Sequence, residues 1–105
     1  MPVIDTRLLP VRDKLPGWSG QIFHSATMTF AHWDFKAGAA IHAHDHPQEE
    51  VWHIVEGELE LTIDGTKHRA GPGMVAILPP HTPHSVVAQT DGKAIVADYP
   101  LRENF

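Results

Sequence analysis

The chain has 105 residues, 42% of them hydrophobic and 20% charged, which suits one domain with a single core. A net charge of −5 without any basic run argues against nucleic acid as a partner, and the lack of cysteine excludes a disulfide framework and a thiolate zinc site. Asp5, Arg7, Arg12, Asp13 and Lys14 interrupt the first sixteen residues, and the longest apolar run, Met74 to Pro80, is too short to span a bilayer, so a soluble, cytoplasmic chain with no membrane partner is expected.

Nine prolines and eight glycines favour many short strands over long helices. Residues 1–20 have no helical period and read as an extended N-terminal segment, with Val3-Ile4 as a short edge strand and Leu8, Leu9, Leu15 and Trp18 as contacts; residues 21–105 read as the β domain. Gln21 to His24 and Thr27 to Phe35 are predicted strands around Ser25-Ala26. In the second, Met28, Phe30 and His32 share one face while Thr29, Ala31, Trp33 and Phe35 share the other, with Trp33, Phe30 and Met28 all assigned mostly to the core. Lys36-Ala37-Gly38 turns into a histidine-rich strand, and Val51 to Val55 forms the next. Glu58 to Ile63 alternates with Leu59, Leu61 and Ile63 inward, and Asp64-Gly65 is a strong hairpin signal before the return through Thr66 to Arg69. Met74 to Leu78 reads as a buried strand, Pro79 to Pro83 as a stiff loop delivering His84, and Ala94 to Tyr99 as the strand that closes the sheet. Nine or ten short strands without a helix indicate an all-β sandwich or barrel.

The chemistry concentrates between Gly38 and Gly57. His42, His44 and His46 alternate, so in an unbroken strand all three imidazoles face one side and Ile41, Ala43 and Asp45 the other. Pro47 ends the strand, and Glu50 can swing back toward the same face. Imidazoles with one carboxylate suit one divalent transition metal (Fe, Mn, Ni, Zn or Cu) and lack the all-oxygen shell that Ca(II) prefers. Parity alone does not choose among the three histidines. Glu49 and His53 have the opposite parity from Glu50 and read as solvated and packing residues respectively. His24, His32 and His68 stand without partner ligands, and Trp52, on the parity of Glu50, is a candidate pocket wall.

The spacing Gly38, five residues, His44, Asp45, His46, three residues, Glu50, six residues, Gly57 resembles the first motif of the cupin family without a gap. Gly73, Pro79 and His84 resemble its second motif in part; His81 stands at the usual glycine and Ala88 where asparagine is common. The resemblance implies an all-β, jelly-roll β-barrel of two antiparallel sheets holding one metal through His44, His46, Glu50 and His84. It also implies a homodimer, with the N-terminal segment packed on the barrel or on a second subunit. Asp98 to Phe105 is similar to the tail of small cupins that open rings in pectin degradation or cyclise polyketides, relatives that often carry glutamine at the position of Glu50.

Three histidines and a carboxylate would leave an octahedral ion two open positions, whereas a tetrahedral ion would be closed by the same groups. The expected function is therefore a metal-dependent small-molecule enzyme of isomerase, ring-opening, cyclase or dioxygenase type. His42 or His81 would be the proton carrier. The alternative is a non-catalytic module that binds a small ligand or is stabilised by its metal.

Overall fold

The computed structural model describes residues 3–103 and 105. After one 3-10 turn at Thr6–Leu8 come ten strands: β1 (Arg12–Leu15), β2 (Trp18–His24), β3 (Thr29–Phe35), β4 (Ala40–His44), β5 (Glu49–Glu56), β6 (Leu59–Ile63), β7 (Thr66–Ala70), β8 (Val75–Leu78), β9 (His84–Ala88) and β10 (Gly92–Tyr99). They make two antiparallel sheets, β1-β2-β3-β10-β5-β8 and β4-β9-β6-β7, which enclose the core as a jelly-roll barrel. No helix of the described residues is long and apolar enough to cross a membrane.

Period-two patterning builds the walls. Thr29, Ala31, Trp33 and Phe35 of β3 and Ala94, Val96 and Asp98 of β10 point inward and are buried, and Trp52 and Ile54 of β5 join them. The opposite sheet contributes Leu59, Leu61 and Val86. Trp18 stands edge-on to Trp33 and Trp52, with ring centroids 6.5 and 5.9 Å apart. Such pairs add about 0.5–1.5 kcal/mol beyond simple burial. Asp64 and Gly65 carry positive φ of 48° and 83°, as the hairpin between β6 and β7 requires. Gly57, with φ of 79°, passes so close to Asp91 that a Cβ would lie 2.3 Å from its carbonyl oxygen.

Several expectations change. The N-terminal segment divides: residues 12–20 belong to the six-stranded sheet, where β1 pairs with β2 across Pro16-Gly17, and Trp18 is a core residue. β8 is an edge strand and not a buried one; Val75 and Ile77 are 52% and 64% exposed, because β8 pairs only with β5 and only Leu78 packs inward as a fully buried residue. Phe30 lies on the outer face, stacked on Phe23 at 5.1 Å, and Met28 precedes β3 half-buried. β10 lies at the middle of its sheet, between β3 and β5, and does not close it.

Candidate metal centre

The register of β4 against β9 places the histidines. Ala40 pairs with Val87 and Ile41 with Val86, but the next pair is His44 with His84, so β4 holds one extra residue over that step. This bulge breaks the strict alternation expected here: Ile41, expected on the face opposite the histidines, lines the central cavity together with His42 and His44. His46 lies beyond the end of β4, on the stretch before β5. The loop before β9 closes over it, with the His81 N–H donating to the His46 carbonyl at 2.8 Å.

Each of three imidazoles is oriented by a carbonyl two residues away. Nδ1 of His44 donates to His42 O (2.8 Å), that of His46 to Gln48 O (3.1 Å) and that of His84 to Thr82 O (2.8 Å). A carbonyl oxygen only accepts, so these bonds put the Nδ1 protons in place and turn Nε2 into the free donor atom of each ring. Nε2 of His46 and of His84 is buried without a hydrogen-bond partner among the described residues. One ligand atom from each of His44, His46 and His84 lies within 4.8 Å of the others. Two orphaned buried lone pairs, with a third imidazole nitrogen from His44 within reach of both, fit a cation.

Glu50 stands against this cluster, 3% exposed, with its oxygens 3.3 Å from Nε2 of both His46 and His84. A bare nitrogen lone pair facing a carboxylate is repulsive, and a proton or metal ion between them removes the conflict. Trp52 Nε1 donates to Glu50 Oε2 at 2.7 Å, so Trp52 is both a cavity wall and a clamp on the carboxylate. Burial alone would raise Glu50, but the donor groups of His46, His84, Asp98 and Trp52 around it outweigh burial and hold it well below the usual carboxylate range. On His84 burial opposes the charged form, and the Glu50 carboxylate with the Thr82 carbonyl overcomes it, raising the imidazole above its ordinary value. Burial holds His44 below its own.

Two residues at the site went unremarked in the sequence. Asp98, fully buried, pairs across the sheet with Glu50; burial, and then the neighbouring Glu50, push it up to about 8. Its inward parity on β10, after Ala94 and Val96, was the available signal. A second grouping of ligand atoms, His46, Glu50 and Asp98, overlaps the first at His46. Arg102 reaches Glu50 Oε1 at 3.4 Å and Asp98 Oδ2 at 3.5 Å from the C-terminal tail, where no periodicity marks it.

The other sequence candidates fall elsewhere. His42 lines the cavity beside His44, with ring centroids 5.9 Å apart. His81 is exposed, with φ of 61°, and meets the site through its backbone. Glu49 and His53 are both exposed, so His53 does not pack inward. His24 bonds Thr29 Oγ1 at 2.7 Å, His32 packs edge-on to Phe23, and His68 is exposed on β7.

The cupin-domain family model matches residues 31–99, a span that holds His44, His46, Glu50 and His84. The chain belongs to the cupin family. It is similar to an RmlC-like cupin from Shewanella frigidimarina, with a TM-score of 0.92 and 26% identity over 100% of this chain and 96% of that one. KdgF from a Halomonas species superposes with a TM-score of 0.85 and 28% identity, covering 90% of this chain and 89% of its own. Oxalate decarboxylase from Bacillus subtilis shares the fold, with a TM-score of 0.86 and 18% identity over 96% of this chain and 30% of that longer one. No curated protein matches the sequence.

Proposed function

We propose that this cupin is a metal-dependent enzyme acting on an oxygen-rich small molecule. His44, His46 and His84 would hold a divalent transition ion, with Glu50 completing the set. The observation that carries the reading is the shared orientation of the three rings: each has Nδ1 tied to a carbonyl and Nε2 left for a ligand bond. A bound ion would supply Lewis acidity, or dioxygen activation if it is iron or manganese. The chain's own groups then bind and shield the substrate. A cavity of about 320 Å³ opens on the cluster, with Trp18, Trp33, Ile41, Trp52, Val86 and Phe105 among its walls, which exclude bulk water from the ligand end. His42, on that wall, is the better-placed proton carrier. His81, exposed in its loop, would act by fixing the backbone of His46.

Isomerisation, ring opening or cyclisation fits this arrangement with a redox-inert ion, and oxygen insertion fits it with iron or manganese. The open cavity beside the ligands supports an enzyme over a metal-stapled binding module. A homodimer belongs to the same proposal, supported by exposed Val3, Ile4, Leu8 and Val11 at the N-terminus and by exposed apolar residues on the outer sheet face.

Elemental analysis of protein purified without a histidine tag tests the metal reading. One ion per chain is expected in the wild type and in His68→Ala, and loss of stoichiometric loading in His44→Ala and His84→Ala. Equal loading in all four proteins would overturn it. Turnover on a panel of sugar acids, diketones and phenolics then separates the enzyme from the binding module.

A further inference from the structure

The cavity has two unlike ends. Its apolar wall is aromatic and aliphatic, built from Trp18, Trp33, Trp52, Ile41, Val86 and Phe105, while its polar groups gather around Glu50. At that polar end sits Arg102, a quarter exposed. Both of its ionic contacts come from Nη1, at 3.4 Å to Glu50 and 3.5 Å to Asp98. A guanidinium committed to a carboxylate approaches to about 2.7–2.9 Å, commonly through two parallel bonds. Nε and Nη2 of Arg102 donate to no group among the described residues.

The side chain is nevertheless held in place. Its own backbone N–H donates to Thr29 Oγ1 at 2.9 Å, Gln48 anchors the preceding carbonyl at 3.1 Å, and the guanidinium carbon lies 4.8 Å over the Phe105 ring. Phe105 packs in turn on Trp33, with centroids 5.9 Å apart. A planar fork with unused donors, fixed before any ligand arrives, is a pre-organised anion site. The local charge agrees. Even with Glu50 and Asp98 both counted as ionised, Arg102 and a divalent ion leave the pocket positive, and Lys14 on the same wall adds to the excess.

We propose that Arg102 is a specificity-determining residue, and that the cavity takes a small carboxylate with a flat, apolar body. The carboxylate meets the free edge of Arg102 and the body lies against the tryptophans. A polyhydroxylated acid is disfavoured, because the apolar wall offers its hydroxyls few partners and would strip them of water. This inference builds on the metal reading above but makes a separate prediction.

The test is calorimetric titration of the zinc-loaded protein with three probes: mandelate, the neutral 1-phenyl-1,2-ethanediol of nearly the same shape, and galacturonate. Mandelate is expected to bind roughly tenfold or more tighter than the diol, the scale of one charge-assisted contact, and tighter than galacturonate, which has the carboxylate without the apolar body. Arg102→Gln, checked for zinc content, should bring mandelate and the diol to similar affinity. Arg102→Lys keeps the charge without the fork and should retain part of the preference. Repeating the wild-type titration without zinc separates this inference from the metal reading, since the preference for mandelate over the diol should shrink but persist. Equal wild-type affinity for mandelate and the diol would overturn the role of Arg102, as would an unchanged preference in Arg102→Gln. Tighter binding of galacturonate than of mandelate would overturn the apolar body. Failure to load zinc would count against the metal centre alone.

Discussion

His81 shows how one residue departs from its family and what the fold makes of it. It occupies the glycine position of the second motif with a left-handed φ of 61°, and its N–H still reaches the His46 carbonyl. Histidine tolerates this region better than most side chains, yet an L-residue there still carries about 1–2 kcal/mol of strain, partly offset by the greater unfolded-state freedom of glycine. His81→Gly should therefore stabilise the protein by roughly 0.5–1 kcal/mol with metal loading unchanged. A shift in the urea midpoint reads the effect; a destabilised variant would show that the imidazole itself contributes. The parity of Glu50 with Trp52 was plain in the sequence, and the structure adds the 2.7 Å bond between them. Arg102 was not legible in the same way. Its place depends on a tail that folds back on β3 and on Gln48 just before β5, contacts between residues 73 and 53 positions apart.

Alternation in β6 correctly set which side chains face the core, and in β3 it correctly put Thr29, Ala31, Trp33 and Phe35 on one face, since a half-buried strand imposes period two on its sequence. It failed in β4, where the bulge adds a residue between Ile41 and His44 and no glycine or proline announces it. In β8 the run Met74 to Leu78 looked buried because it is continuously apolar; the strand is instead an edge whose outer side chains continue an apolar sheet surface. Val55, Val75, Ile77 and Tyr99, from three strands of that sheet, are all more than 40% exposed. An apolar face of this kind on an edge strand is a pairing surface. If it joins two copies, the double variant Val75→Lys/Ile77→Lys should sediment as a monomer while the wild type sediments as a dimer at micromolar concentration. A monomeric wild type would remove the homodimer from the proposal.

For the molecule as a whole, the closed barrel isolates a carboxylate pair from water and so couples global stability to pH. Asp98 is held at about 8 when folded, by burial and by Glu50, against an ordinary value of 3.8. Between those values the native state binds the extra proton, so this group makes stability fall as pH rises from about 4 to 8. Glu50 is shifted the other way; its contribution is complete above its ordinary 4.5 and is lost only as the solution becomes more acid. In metal-free protein kept in chelator, thermal midpoints of the wild type should therefore fall more steeply between pH 5 and 8 than those of Asp98→Asn. Parallel profiles would show that Asp98 does not carry that proton.

Composition, turn chemistry and strand alternation determined by themselves that this chain folds as short antiparallel strands around an aromatic core, because each acts within a few residues and needs no distant partner. Motif spacing brought the four presumptive ligands to notice for the same reason. What only the tertiary structure decided is non-local: the central position of β10, the bulge that turns His44 toward His84, and the joining of Asp98 and Arg102 to Glu50. Those depend on which strands hydrogen-bond across the closed barrel, and a period-two pattern is the same whichever neighbour a strand is given.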